Sequence, residues 1–286
     1  MANTPLAQVI GDPIAQSKSP LIHGYWLEKL GIAGSYEAQH VSSGGVREYL
    51  DGAKTDSSWQ GCNVTMPHKQ AVMDHLSSVD DLAKRVGAVN TVYTSHDGSL
   101  AGTNTDVGGF LEPLKGELEK QHYFRMARIL GTGGAARAII VGLAEKGFTL
   151  VVAGRDPQKA RALLDELAPK GEHHAVHLSH FAAATDFAFD DREGCLDLVV
   201  NASPLGMAGN PPLLFDWSHA PPGAIAYDIV YTPIETEFLK GARAAGHSTI
   251  DGLEMLIGQA AIAFERFFGA APPRQHDAEL RRLLLG

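Results

Sequence analysis

The chain has 286 residues, 44% hydrophobic and 20% charged, with a formal net charge of -9. That length can bury roughly three quarters of the unfolded surface and predicts about two domains, while the acidic balance argues against nucleic acid or an anionic membrane as partner. Two cysteines without CxxC spacing, Cys62 and Cys195, support neither a zinc site nor a redox pair; with no leader-like N-terminus and no apolar run of the ~18 residues a membrane span needs, a soluble cytoplasmic protein is expected.

In chain order, LAQVIGDP (6 to 13) reads as a strand and turn. SPLIHGYWLEKLG (19 to 31) reads as a helix capped by Ser19, with Pro20 in its first turn and Gly31 beyond its end. SYEAQHV and GCNVT read as strands, and in NVTMPHK the strand stops at Pro67 and Lys69 opens a helix. AVNTVYTSHDGSLAGTN (88 to 104) reads as a hairpin about Asp97-Gly98. After the polar stretch KGELEKQHYF (115 to 124), RMARIL is a strand running into a glycine turn and a helix, GTGGAARAIIVGLAEKG. FTLVVAGR, DPQKARALLDELA, LDLVVNAS and GAIAYDIVY continue the strand and helix alternation of a parallel α/β architecture. Residues 170 to 195 follow neither period, the pair His173-His174 reads as surface, and GLEMLIGQAAIAFERFFG (252 to 269) is a long amphipathic helix.

Gly131, Gly133 and Ala136 fit G-x-G-x-x-G/A between a strand and a helix, the context a dinucleotide site requires. The helix start offers free N–H groups and a positive dipole end to phosphates. The next strand ends in Gly154-Arg155, not in the acidic residue that holds a ribose 2′-hydroxyl. Arginine there suits a 2′-phosphate through bidentate charged hydrogen bonds. Asp156 reads as the cap of the helix starting at Pro157, and Lys159, one turn on, either adds to a phosphate site or is solvated.

Ser17 and Ser19, Thr65 and Lys69, Asn90, the run Asn104-Thr105-Asp106, and Gln259 each have a plain reading as a turn, cap or surface residue. Together they fall at strand ends and helix starts, where open α/β sheets hold ligands. The ordered motifs GDPIAQSKSP, NVTMPHK, GAVNT, GTNTDVGG, GTGGAARA, NASPLGM, DIVYTP and GLEMLIGQA resemble those of the shikimate dehydrogenase family, from residue 11 to about 269.

The resemblance implies two α/β domains with a cleft between them: a discontinuous substrate-binding domain, residues 1–105 plus 240–286, and a Rossmann-like NADP-binding domain, residues 106–239. It implies reversible NADPH-dependent reduction of 3-dehydroshikimate to shikimate, in aromatic amino-acid biosynthesis. Lys69 matches the catalytic lysine and Asp106 its partner. Ser17 and Ser19 match the hydroxyls that hold the substrate carboxylate, and Thr65, Asn90, Tyr231 and Gln259 match further substrate contacts. Gly131, Thr132, Gly133, Gly134 and Ala135 match the phosphate turn, Gly154, Arg155 and Asp156 the adenosine loop, and Ile229 and Gly252 the nicotinamide side. The chain departs from the family at Gly24, where an asparagine often follows the histidine, and at Asp156, where a hydroxyl residue is usual.

The chemistry asks for such residues. Hydride delivered to a ketone leaves an alkoxide, which an ammonium both stabilises and protonates. A carboxylate such as Asp106 orients that ammonium. No cluster of His, Cys and carboxylates points to a metal. Two other readings stay open: an NAD-linked quinate/shikimate dehydrogenase, which Asp156 favours, and a non-catalytic sensor of the pathway, which Lys69 with Asp106 disfavours. The expected partner is a small molecule, and a homodimer is one assembly open to the chain.

Overall fold

The computed structural model describes residues 4–189 and 192–286, so two residues of the 170 to 195 segment lie outside it. The elements begin with β1 (Leu6–Gly11), α1 (Ser19–Leu30), β2 (Ser35–His40), α2 (Val46–Ala53), β3 (Trp59–Val64), β4 (Ser78–Val79), α3 (Asp81–Val86), β5 (Thr91–Thr94), β6 (Leu100–Thr103) and α4 (Asp106–Leu111). They continue with α5 (Lys115–Leu118), β7 (Phe124–Leu130), α6 (Gly134–Glu145), β8 (Thr149–Gly154), α7 (Pro157–Leu167) and β9 (His174–His177). Then follow β10 (Cys195–Asn201), β11 (Ile225–Asp228), α8 (Glu237–Ala244), β12 (Ser248–Ile250), α9 (Gly252–Phe268) and α10 (Asp277–Leu285). The chain divides into two compact units, one of residues 1–109 with 256–286 and the other of residues 110–255. Among the described residues no helix is long and apolar enough to cross a membrane.

The first unit holds a six-stranded mixed sheet in the order β2-β1-β3-β5-β6-β4. β1 pairs in parallel with β2 and β3, whereas β3, β5 and β6 run antiparallel to one another in turn. Toward their carboxyl ends β1 and β3 are buried on both faces, at residues 9–11 and 61–64, whereas Leu6 and Gln8 of β1 are only partly buried. Ile10, Cys62 and Val64 face a core built with Leu50 of α2, while Ala7 and Val9 pack with Tyr36 and with Ala263 and Phe267 of α9. Ala263 and Phe267, four residues apart, share one side of that helix.

Local readings hold with some shifts. The 97-98 hairpin forms between β5 and β6. α1 ends at Gly31, whose φ of 62° is left-handed and closes the helix with a bond to Glu28 O. Its cap position is Lys18, not Ser19: Ser19 is the first helical residue, and its N–H donates to Ser17 Oγ at 3.3 Å. Beyond Lys69 the chain makes only a short 3₁₀ turn, Ala71–His75, rather than an α-helix opening at the lysine.

In the second unit all six strands are parallel, in the order β12-β11-β10-β7-β8-β9. Counted from β7, this is 3-2-1-4-5-6 read from the β9 edge, the doubly wound arrangement of dinucleotide-binding folds. β7 and β10 are neighbours although β8 and β9 separate them in sequence, so their carboxyl ends flank the point where strand order reverses. The return to the first unit falls at Leu256 rather than near 240, because β12 hydrogen-bonds to β11 and α8 packs on that sheet. His173 is buried rather than on the surface: Nδ1 accepts from the Leu150 N–H at 3.1 Å and Nε2 lies 2.9 Å from Lys170 O, while His174 is exposed.

Candidate active site

In the first unit NVTMPHK forms a pinned turn at the carboxyl end of β3. The Val64 N–H donates to Asn90 O (2.8 Å), the Thr65 N–H to Ile10 O (2.9 Å) and the His68 N–H back to Thr65 O (3.0 Å). The Met66–Pro67 peptide is cis. The buried His68 ring meets Val41 O through Nε2 at 2.6 Å, and Lys69 O accepts from the Val89 N–H at 2.8 Å. Lys69 therefore leaves a backbone held on both sides.

Its ammonium lies 2.5 Å from Asp106 Oδ2, with side-chain exposures of 17% for the lysine and 7% for the aspartate. Asp106 opens α4, and its N–H donates to Asn104 Oδ1 at 3.0 Å, while Asn104 Nδ2 reaches Ala88 O at 2.9 Å. Asn90 completes the arrangement. Its Nδ2 donates to Asp106 Oδ1 (2.8 Å) and Thr105 Oγ1 (2.9 Å), and its Oδ1 accepts from the Thr105 N–H (2.7 Å). Asn90 is thus a buried bridge, not a turn residue. The Thr105 hydroxyl also lies 3.3 Å from Gln259 Oε1, so α9 joins the same chain of contacts. One carboxylate oxygen of Asp106 faces the lysine and the other a fixed amide. That geometry orients a partly exposed ammonium, the arrangement an oxyanion-stabilising acid needs.

Two residues behind this chain escape a reading by motif alone. Asn63, buried in β3, donates through Nδ2 to Asn90 O (3.2 Å) and Thr91 Oγ1 (2.9 Å), and its Oδ1 accepts from the Tyr36 hydroxyl at 2.6 Å. An amide inside an apolar strand is the signal that marks it. Tyr36 stacks on His23 at a 3.9 Å centroid distance and 3° between planes. Ser17, Ser19 and Thr65 belong to the same unit. Thr65 is tied to β1, and the serines lie on the segment from β1 into α1. Tyr231 and all the expected nucleotide residues belong to the second unit.

There, Gly131 has φ of 137°, and a Cβ on it would sit 2.5 Å from Ala202 O, so only glycine serves. Gly133 differs. It caps the twelve-residue α6 without a side-chain bond, and a Cβ there would meet nothing within 4 Å. The protein itself does not need that glycine, but a closely approaching pyrophosphate does. Thr132, Gly134 and Ala135 are half-buried around the same bare helix start, while Gly154 is buried at the end of β8 with Arg155 and Lys159 exposed beyond it. Among the described residues Arg155 has no hydrogen-bonding or ionic partner. Asp156 Oδ1 accepts from the N–H groups of Gln158 (2.9 Å) and Lys159 (3.3 Å), which makes it the cap of α7. Gly252 lies under the β11 loop, where a Cβ would be 2.4 Å from Ile229 O. The open helix start and the partnerless Arg155 fit a dinucleotide with a 2′-phosphate. Among the described residues no group of three or more His, Cys, Asp or Glu is placed to hold a metal ion.

A doubly wound unit with a bare glycine turn, and a unit carrying an oriented lysine, are the parts of a nicotinamide-dependent oxidoreductase. Comparison with known proteins narrows this. Residues 9–92 match the shikimate dehydrogenase substrate binding domain, residues 252–279 the shikimate 5'-dehydrogenase C-terminal domain, and residues 127–189 the coenzyme F420-dependent NADP oxidoreductase model. A shikimate dehydrogenase (NADP(+)) of Sphingopyxis alaskensis is 49% identical over 283 residues, covering 99% of this chain and 97% of that one. One from Methylobacterium radiotolerans is 42% identical, covering 94% and 93%. The crystal structure of shikimate 5-dehydrogenase from Thermus thermophilus, in complex with NADP(H) and shikimate, is 36% identical with a TM-score of 0.79, covering 98% and 100%. The chain belongs to the shikimate dehydrogenase family.

Proposed function

We propose that this chain interconverts 3-dehydroshikimate and shikimate with NADPH and NADP, on the route to chorismate and the aromatic amino acids. The observation that carries this reading is the Lys69–Asp106 pair, 2.5 Å apart and held from behind by Asn90. NADP(H), when bound, supplies hydride exchange at the nicotinamide. Lys69 Nζ steadies the negative charge that develops on the substrate oxygen and transfers a proton to it; in the reverse direction it takes that proton back. Asp106 keeps the ammonium aimed and bonds a neighbouring substrate hydroxyl. Ser17 and Ser19 hold the substrate carboxylate, and Thr65, Asn90, Gln259 and Tyr231 hold its hydroxyls.

The bare N-terminus of α6, with Gly131, Thr132, Gly133, Gly134 and Ala135, holds the pyrophosphate, and Arg155 with Lys159 the 2′-phosphate. Ile229 and Gly252 line the nicotinamide. Asp156 spends its carboxylate on the α7 cap, which supports NADP over NAD and weakens the quinate reading. We place the protein in the cytoplasm. All the named residues come from one chain, and a homodimer is compatible with this. Rates of nicotinamide reduction with shikimate or quinate, each paired with NADP or NAD, test the proposal. The shikimate and NADP pair gives the highest kcat/KM; a higher value for quinate with NAD refutes it.

A further inference from the structure

At the carboxyl ends of β10 and β11 lies a carboxylate that none of these steps uses. Asp228 is fully buried. Its Oδ1 accepts from Asn201 Nδ2 and from the Val230 N–H, both at 2.9 Å, and its Oδ2 accepts from Thr236 Oγ1 at 2.7 Å. Asn201, also fully buried, accepts on Oδ1 from the N–H (3.1 Å) and hydroxyl (2.7 Å) of Ser203, and Nδ2 also reaches Leu205 O at 2.9 Å. Thr236 caps α8, its hydroxyl accepting from the Leu239 N–H at 3.2 Å. One carboxylate and one amide thus tie together the loop leaving β10, the loop leaving β11 and the start of α8. The Ile229 N–H adds a bond to Asn201 O at 3.1 Å.

Burying a carboxylate is costly unless donors converge on it. Burial pushes the Asp228 pKa up to about 6, against the pull of Thr236, Val230 and Asn201, and the nearby Asp251 raises it further. A neutral side chain would avoid that cost but could not accept on both oxygens at once. The segment so fixed, 229 to 231, carries Ile229 and Tyr231.

We propose that Asp228 is a positioning residue: through Asn201, Val230 and Thr236 it fixes residues 229 to 231, and so places Ile229 and Tyr231 for the reaction. This rests on the roles given to those two residues above. The test uses the full chain with Asp228→Ala and Asp228→Asn. In Asp228→Ala, amide hydrogen exchange at Ile229 and Val230 speeds up, and kcat/KM for shikimate falls by about 10²-fold, the scale of a small misplacement of reacting groups. Binding of adenosine 2′,5′-bisphosphate, which needs the glycine turn, Arg155 and Lys159 but not residues 229 to 231, stays at its wild-type affinity. Asp228→Asn keeps one acceptor for Asn201 and Val230 but loses the one for Thr236, and recovers part of the loss. Wild-type exchange at Ile229 and Val230 in Asp228→Ala overturns the proposal, as does bisphosphate binding lost in step with activity. Should the alanine variant not fold, Asp228→Asn decides by the same exchange and bisphosphate readings at smaller amplitude. A wild type inactive on shikimate would refute the proposed function instead, and the exchange measurement would still decide whether Asp228 anchors the segment.

Discussion

Replacing Asn90 by alanine separates the ion pair from its support. Asn90 is 2% exposed; its Nδ2 donates to the Asp106 carboxylate at 2.8 Å and to Thr105 Oγ1 at 2.9 Å, and its Oδ1 accepts from the Thr105 N–H at 2.7 Å and from the Thr91 hydroxyl at 3.0 Å. A hydrogen bond to a charged group contributes about 1.5–3 kcal/mol, and leaving a buried partner such as the Thr105 N–H unmet costs about 1–3 kcal/mol. The folded state should therefore lose several kcal/mol, read as a lower urea midpoint. If holding Asp106 is what matters for catalysis, the bond to its carboxylate sets the loss in kcat, roughly tenfold to a hundredfold. The assay is kcat at saturating shikimate and NADP, on protein shown folded by circular dichroism. A folded variant with wild-type kcat and only a raised KM would refute the reasoning, since Asn90 would then touch the substrate without orienting the pair.

Arg155→Ala should lower kcat/KM for NADP by about tenfold to a hundredfold, one charge-assisted bond's worth, and spare NAD; equal losses with both cofactors would remove Arg155 from the 2′-phosphate site. His23 is fully buried, both its ring nitrogens have no partner among the described residues, and burial lowers its pKa from 6.5 to about 3. The fold holds the neutral ring, so below pH 6.5 the unfolded chain takes up a proton that the folded one refuses. Stability from this group is full above 6.5 and is lost at about 1.4 kcal/mol per pH unit as pH falls toward 3. His23→Phe should flatten the pH dependence of the urea midpoint across that window, and an unchanged slope would contradict the assignment.

Much of this molecule is legible in the sequence because its signals are local. The glycine turn, the cap at Asp156, the hairpin at 97-98 and the stop at Gly31 each lie within one element or its border. The return point was not legible: β12 is a three-residue strand, too short for periodicity to show that it belongs to the second sheet. His173 read as surface because its burial depends on Leu150, 23 residues away. The pairing of Lys69 with Asp106, 37 residues on, was readable from the motifs and the chemistry. Thr105, however, meets an amide 154 residues on, and only the fold shows that Asn90 bridges Thr105 and Asp106. Asn63 and Asp228 went unread for the same reason: their partners gather only when strands align.

The central claim is that the Lys69 ammonium, aimed by Asp106, serves the chemical step. The most direct measurement is the steady-state kinetics of Lys69→Ala with shikimate and NADP. Losing the charge-stabilising acid should lower kcat by at least about 10²-fold, the scale for removing such a group. The KM for shikimate should change far less. A folded variant that keeps near wild-type kcat would contradict the account.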